Sequence, residues 1–161
     1  MKSVLISIQP YWVFLIIAKV MGWSIDKEKT VEVRKNYPKA ENWNKVAKIY
    51  CSKDKRSFSE IPKEYQPFMD RFLGKVIGEF TCSKICAVLA HPSVFAGHPM
   101  FFQYAIDAAC LTQDEVETYG AGKDVYGWVI SDLKIYDEYK GVDSFGLTKA
   151  PQSWCYVKEN S

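Results

Sequence analysis

The sequence has no apolar run long enough to span a membrane. Its longest run, residues 11–18, is preceded by the shorter apolar stretch 4–8 and followed by Lys19. A spanning helix needs about 20 apolar residues, and no small-residue cleavage site of an export signal follows. We therefore expect a cytoplasmic protein with no membrane association.

Common catalytic and metal-binding motifs are also missing. No Gly-rich phosphate loop, Gly-x-Ser-x-Gly elbow or His-Glu-x-x-His pair occurs, so the standard nucleotidase, hydrolase and zincin signatures are excluded. Cys82 and Cys86 precede His91 and His98, but two cysteines four residues apart on one strand are separated by roughly 13 Å, too far to share a zinc ion. We expect neither a metal nor another cofactor.

The chain also lacks internal repeats and low-complexity linkers. Its 161 residues, 48% of them apolar, are enough for one packed domain, which we expect to cover residues 1–161. The five cysteines are an odd number and accompany no export signal, which favours reduced thiols over a disulfide framework.

The formal net charge of +2 conceals an uneven distribution. Residues 1–75 hold 15 Lys and Arg against 8 Asp and Glu, net +7, whereas residues 76–161 hold 6 against 11, net −5. A basic half attracts phosphate, which favours a nucleic-acid or nucleotide partner. Two solvated faces of opposite sign are the alternative interpretation.

Residue patterning predicts about six strands with helices between them. We expect the strands at 3–8, 29–35, 45–51, 75–89, 128–136 and 153–157. We expect helices at 11–21, 62–73, 102–110 and 113–119, the last capped by Thr112 with Glu115 three residues on. Long excursions rather than regular βα alternation predict an α+β fold, a small mixed sheet or barrel with helices at one side.

Residues 29–35 (KTVEVRK) carry the charged groups best suited to a binding site. Arg34 offers a planar fork for phosphate or a base edge, Lys29 can act as acid or base if burial lowers its pKa, and Glu32 is an orienting acceptor. Lys29 has the opposite strand parity to Glu32 and Arg34, so joint action requires a bulge or turn at Lys29. A solvated Glu beside an Arg on an edge strand is the alternative.

Five tryptophans provide flat faces on which unpaired bases can stack, a recognition mode suited to single-stranded RNA. Most tryptophans lie in protein cores. Trp128, between Gly127 and a predicted strand, and Trp43, in a Lys/Asn-rich segment, are the two that we expect to be exposed enough to stack on a base.

An ordered set of segments resembles the ASCH-domain family, a branch of the PUA-like superfamily. The set is residues 7–10 (SIQP), Lys29-x-x-Glu32-x-Arg34, 75–80 (KVIGEF), 130–136 (ISDLKIY) and 151–157 (PQSWCYV). It covers nearly the whole chain, and its last two segments look like those of the stand-alone versions found in phages, prophages and Firmicutes-type bacteria.

The resemblance implies a PUA-like β-barrel of about six strands with flanking helices, a cleft beside the first helix and second strand, and an RNA-related role. We therefore predict binding of RNA or a nucleotide, single-stranded RNA above all. The candidate binding residues are Gln9, Lys29, Arg34, Lys35 and Trp128.

Two further hypotheses stay open for this chain. Some relatives are described as ribonucleases and others are amidohydrolases acting on acetylated cytidine, in which the motif lysine is catalytic; Lys29 and Glu32 are the candidate catalytic residues here. In the amidohydrolase branch, however, a threonine nucleophile occupies the position of Glu32. The other hypothesis is a phage-type interaction module that binds a protein partner through a helical insertion at about 90–127, which looks longer than a barrel needs.

Overall fold

The structure, a computed structural model, describes residues 1–92 and 98–158. Its strands are β1 (Lys2–Ile8), β2 (Val31–Arg34), β3 (Trp43–Cys51), β4 (Lys75–Ala90), β5 (Met100–Phe101), β6 (Val125–Lys140) and β7 (Trp154–Lys158). Its α-helices are α1 (Pro10–Ile17), α2 (Lys55–Ser59), α3 (Gln66–Met69), α4 (Gln103–Ala108) and α5 (Gln113–Gly120). Short 3₁₀ turns cover Lys63–Tyr65, Asp70–Phe72 and Val142–Phe145.

One mixed seven-stranded sheet organises the described part of the chain. The strand order is β2-β6-β4-β3-β1-β7, with β5 added to the end of β4. Strands β1 and β3 run parallel, and the other pairs are antiparallel. Strands β4 and β6, with 16 residues each, form the centre of the sheet. The predicted α+β class is confirmed.

The predicted closed barrel is wrong, because the sheet stays open between β2 and the β1–β7 pair. Strand β2 is only four residues long and pairs with β6 alone in the described residues, and β7, at the other edge of the sheet, pairs there with β1 alone. A side chain crosses the opening instead: Arg34 Nη2 donates to the carbonyl oxygen of Ser7 at 2.6 Å.

Helix α1 is apolar on nearly every side because it lies in the core. It begins at Pro10, whose missing N–H costs nothing at the first helical position. Its buried residues pack against apolar side chains of β1, β3 and β4 and against Trp128 of β6. The helix ends at Ile17, earlier than predicted, and hydrogen-bonded turns continue from it to Gly22, which has a φ of 76°; Trp23 N donates to Ala18 O at 2.9 Å across these turns.

Helices α4 and α5 form a second layer within residues 90–127. They bury Ala105, Ile106 and Val116 against Val31 and Val33 of β2 and the adjoining ends of β4 and β6. The two helices predicted in this stretch are present, whereas residues 93–97 of the predicted loop lie outside the described residues. Helices α4 and α5 therefore cover β2.

Two other segments differ from the sequence prediction. The polar stretch 53–60, predicted as an irregular connection, contains α2, whose first turn is capped by the Asp54 side chain accepting from Ser57 N at 2.8 Å. The helix predicted at 62–73 is divided into short 3₁₀ and α pieces, because Pro67 cannot donate a helical hydrogen bond.

None of the helices in the described residues is long and apolar enough to cross a bilayer. All five cysteines carry free thiols. Within residues 1–92 and 98–158, no three His, Cys, Asp or Glu side chains lie close enough together to hold a metal ion.

The cap of α5 gives a direct test of how this layer is held. Thr112 Oγ1 accepts from Glu115 N at 3.1 Å, and Glu115 Oε1 accepts from Thr112 N at 3.1 Å, a reciprocal capping box. We expect Thr112→Ala to lower the free energy of unfolding in urea by about 1 kcal/mol. Thr112→Ser keeps the hydroxyl and should stay close to wild type; equal losses for the two variants would contradict the capping role.

Candidate ligand-binding cavity

A cavity of about 370 Å³ lies at the open end of the sheet. Its wall comes from the end of β1, helix α1, strand β2, helix α5 and the segment before β7. The lining residues are Ser7, Ile8, Gln9, Trp12, Lys29, Glu32, Val33, Arg34, Leu111, Glu115, Tyr119, Gln152 and Ser153. The gap that keeps the sheet from closing is thus bordered by the predicted charged motif.

Lys29 is buried although it is a lysine, with 2% of its surface exposed. Its backbone N–H donates to the carbonyl oxygen of Leu15 in α1 at 3.1 Å, which holds the approach to β2 against that helix. The Nζ atom donates to the carbonyl oxygen of Ala109 at 2.7 Å and lies 4.9 Å from the ring centre of Trp12. Burial lowers the pKa of Lys29, and the nearby Glu32 carboxylate partly opposes that shift.

The parity problem at Lys29 is resolved by where β2 begins. The strand starts at Val31, so Lys29 precedes it and does not follow its alternation. The backbone at Thr30 is fixed from both sides, since Thr30 N donates to Ala108 O and Thr30 O accepts from Ile130 N, each at 2.9 Å. Lys29 and Glu32 therefore line the same cavity despite their odd spacing.

Glu32 and Arg34 form a close ion pair on the cavity wall. Arg34 Nη1 donates to Glu32 Oε1 at 2.7 Å, with side chains only 11% and 4% exposed. The same Nη1 donates to the Val33 carbonyl at 2.8 Å, and Nη2 donates to Ser7 O at 2.6 Å. Three of the five guanidinium N–H donors are thereby used within the described structure, which leaves two for a ligand.

The second carboxylate oxygen of Glu32 lacks a partner. Oε1 accepts from Arg34 and from the Val33 N–H at 3.1 Å, but Oε2 is buried and has no hydrogen bond within the described residues. An unsatisfied buried acceptor of this kind is costly, and native structures nearly always satisfy such groups. Glu32 Oε2 is therefore an acceptor that no group of the described residues satisfies.

Helix α5 contributes residues that the sequence did not single out for a site. Glu115 lines the cavity, although one of its oxygens is engaged in the cap. Tyr119 is 38% exposed at the cavity, and burial of the phenol raises its pKa. Trp12 was missed because it lies inside an apolar run that predicts only a core helix. The capping signature placed α5 along the chain without indicating what it faces.

The other predicted binding residues divide into those at the cavity and those away from it. Gln9 lines the cavity at the first turn of α1. Lys35 is exposed and lies outside the lining, but its Nζ is 5.1 Å from the ring centre of Tyr119, which does line the cavity. Lys29, Arg34 and Gln9 are thus brought together, and Lys35 stands at the edge.

The expected exposure of Trp128 is wrong. Trp128 is 0% exposed, its Nε1 donates to Asn36 O at 3.2 Å, and its ring lies 6.2 Å from Trp43 and 5.7 Å from Trp154. Gly127 suggested a turn, but β6 already begins at Val125. The glycine permits close packing, since a Cβ there would lie 2.7 Å from Cys86 Sγ. Trp128 is therefore a core residue, and Trp43 is half-buried.

This arrangement defines an α+β protein with a cavity lined by charged side chains at the open end of its sheet. No protein-family model and no curated protein matches the sequence. Among solved structures, the fold is similar to crystal structures of ASCH from Zymomonas mobilis. That protein is 18% identical with a TM-score of 0.60, and the match covers 98% of this chain and 88% of that one.

Two single-substitution variants of the Zymomonas mobilis protein give the same result. Both are 16% identical to this chain. For one variant the TM-score is 0.61, and the match covers 98% of this chain and 89% of the variant. For the other the TM-score is 0.59, and the match covers 99% of this chain and 92% of the variant. At this level of identity the likeness shows the fold. The chain has an ASCH-type fold, and the resemblance noted in its sequence is confirmed at that level.

The Glu32–Arg34 pair gives a stability prediction. Arg34→Met leaves the buried Glu32 carboxylate without the cation that is hydrogen-bonded to it, so we expect a loss of roughly 3–5 kcal/mol in the free energy of unfolding, measured in urea. The double variant Arg34→Met/Glu32→Leu removes the stranded charge and should be more stable than the single variant. A single variant that unfolds like wild type would contradict a structural role for this pair.

Proposed function

We propose that this chain binds RNA or a nucleotide, and that one nucleotide unit occupies the cavity lined by Lys29, Glu32 and Arg34. The observation that carries the proposal is the unpaired Oε2 of Glu32, which lies on the same cavity wall as two cationic side chains. A hydrogen-bond acceptor beside hydrogen-bond donors suits the edge of a nucleic-acid base, because a base edge carries both donors and acceptors.

Size and charge favour a nucleotide-sized ligand over a polyphosphate. A cavity of about 370 Å³ is within the ordinary range for small-molecule sites. Its ionisable lining balances Lys29 and Arg34 against Glu32 and Glu115. An excess of positive charge, as expected around several phosphates, is missing from the lining. Base and ribose would therefore provide most of the contacts within the cavity, with the two unused N–H donors of Arg34 available to one phosphate.

The fold adds support of a general kind. ASCH-type proteins belong to the PUA-like group, for which the resemblance in the sequence implies RNA-related roles. Because one fold hosts many functions, the residues of the cavity carry more weight than the likeness itself.

The direct test compares two lysine variants with the same change in net charge. Lys29→Met removes the buried ammonium and keeps an apolar chain beside Trp12, whereas Lys27→Met alters an exposed lysine outside this cavity. Calorimetric titration with nucleoside monophosphates should show binding weakened about tenfold or more by Lys29→Met and unchanged by Lys27→Met. Thermal unfolding checks that both variants are folded.

Equal affinities in the two variants would place the ligand elsewhere. No binding of any nucleotide at low salt would favour a protein partner through residues 90–127 instead. In that segment Met100 is 52% exposed and Tyr104 is 64% exposed, more apolar surface than most of the described chain presents.

A second candidate function, an enzyme on the same cavity, is favoured by one observation. Burial lowers the pKa of Lys29, which increases the share of the neutral amine that can accept a proton. The Ser7 and Tyr119 hydroxyl groups on the wall are less suited to proton transfer. Ser7 Oγ donates to Pro151 O at 2.6 Å, and burial raises the pKa of Tyr119. In such an enzyme, Lys29 and Glu32 would transfer protons to and from a ribonuclease or amidohydrolase substrate.

Turnover of short RNAs and of acetylated cytidine separates the two candidates. If Lys29 acts as a base, the rate should rise with pH through the lowered pKa of the amine and then level off. Lys29→Met should abolish the rate, with Lys27→Met as the control. A wild-type protein that binds nucleotides but turns over none of these substrates leaves binding as its function.

A further inference from the structure

A surface beside the cavity combines aromatic rings with lysines. Ser153 lines the cavity, and β7 begins at the next residue, Trp154. Trp154 and Tyr156 lie on one face of that strand, since side chains alternate along it; both pack against the core cluster that contains Trp128 and stay partly exposed. Trp154 Nε1 donates to Asn36 Oδ1 at 2.7 Å, and the two rings are 5.3 Å apart at their centres. The surface therefore starts at the cavity wall and follows β7.

Three exposed lysines surround the far end of this surface. Lys2 Nζ lies 5.3 Å from the ring centre of Tyr156, and Lys158 is the cross-strand neighbour of Lys2. The backbone N–H of Lys39 donates to the Tyr156 hydroxyl at 3.1 Å, and its Nζ lies 5.2 Å from the ring centre of Tyr37. No carboxylate in the described residues forms an ion pair with any of the three lysines. Glu41 is the one acidic residue in the adjoining loop.

This composition fits a single-stranded nucleic acid better than an acidic peptide. Unpaired bases stack on aromatic rings, and the backbone phosphates need cations at their side, which is the combination found here. The distance from Ser153 to Lys158 along an extended strand is roughly 16 Å, longer than one nucleotide unit. An acidic peptide would use the lysines but would leave the rings without a matching group.

We infer that the chain binds a single-stranded polynucleotide along β7, with one nucleotide in the cavity, a neighbouring base on Trp154 and Tyr156, and phosphates on Lys2, Lys39 and Lys158. This inference rests on the proposed function in that the cavity holds one end of the bound strand. We call the surface formed by Trp154, Tyr156 and these three lysines the β7 track. The two surfaces have different roles: the charge-balanced cavity recognises one nucleotide, and the β7 track provides the salt-dependent part of the affinity.

The test measures how affinity depends on salt in two triple variants. The track variant is Lys2→Ala/Lys39→Ala/Lys158→Ala; the control is Lys55→Ala/Lys63→Ala/Lys75→Ala, which removes the same charge from exposed positions elsewhere. Fluorescence polarisation uses a labelled single-stranded RNA of about eight nucleotides, with a duplex of the same sequence alongside. A nucleoside monophosphate is titrated by calorimetry.

We expect the single-stranded RNA to bind more tightly than the monophosphate and the duplex. Loss of three phosphate contacts should reduce the slope of log affinity against log salt by about 2 in the track variant and leave it unchanged in the control. Monophosphate affinity should be the same in wild type and both triple variants.

The inference is overturned if the two triple variants have the same salt slope, or if the RNA binds no more tightly than the monophosphate. Displacement of the RNA by polyglutamate at equal charge would overturn the choice of nucleic acid as partner. If the monophosphate does not bind but the track variant still loses salt dependence, the cavity proposal fails and the track stands. The two failures are thereby distinguished.

Discussion

The Arg34 side chain, paired with Glu32, bridges the part of the sheet that its backbone leaves open. In the strand order, β6, β4 and β3 lie between β2 and β1, yet the Arg34 guanidinium donates to the carbonyl of Ser7 in β1. A closed barrel would satisfy this edge with main-chain hydrogen bonds and leave no space. One charged side chain spans the opening, and the space around it is the cavity.

The same constraint explains the character of the cavity. A guanidinium in this position needs a carboxylate beside it, which places Glu32 on a buried wall. Only one oxygen of that carboxylate is satisfied, so a polar acceptor faces the space that the open sheet creates. Lys29 is held at the same wall by hydrogen bonds to helix α1 and to the end of α4, and it gives up hydration to reach that position. These polar groups are costly to bury without a ligand, and this cost is the physical argument for one.

Local patterns were informative wherever a residue's role was decided by its neighbours in sequence. Alternation in residues 29–35, the Pro10 start of α1 and the Thr112 cap all predicted elements that are present. The charged motif was predicted as a site, and three of its charged side chains, Lys29, Glu32 and Arg34, line one cavity. The bounds of α1 differed because residues 18–22 form hydrogen-bonded turns up to Gly22 instead of regular helix.

Long-range packing decided what the sequence could not. The barrel was expected from the resemblance, but closure depends on whether a four-residue strand meets its neighbour, which no local pattern encodes. Trp128 was wrongly predicted to be exposed because a glycine such as Gly127 is equally compatible with a turn and with close packing. Only the three-dimensional positions of Val31 and Cys86 show that close packing is the reason for the glycine. Glu115 and Tyr119 line the cavity because α5 packs beside β2. They lie about 80 positions after the charged motif in the sequence, so no local pattern connects them to it.

A crystal structure with a nucleoside monophosphate bound would test the central claim most directly, because that claim concerns one oxygen atom. The account predicts a ligand N–H or O–H within about 3.2 Å of Glu32 Oε2, in a cavity where Arg34 still donates to Ser7. A nucleotide bound elsewhere on the protein, with water alone at Oε2, would contradict it.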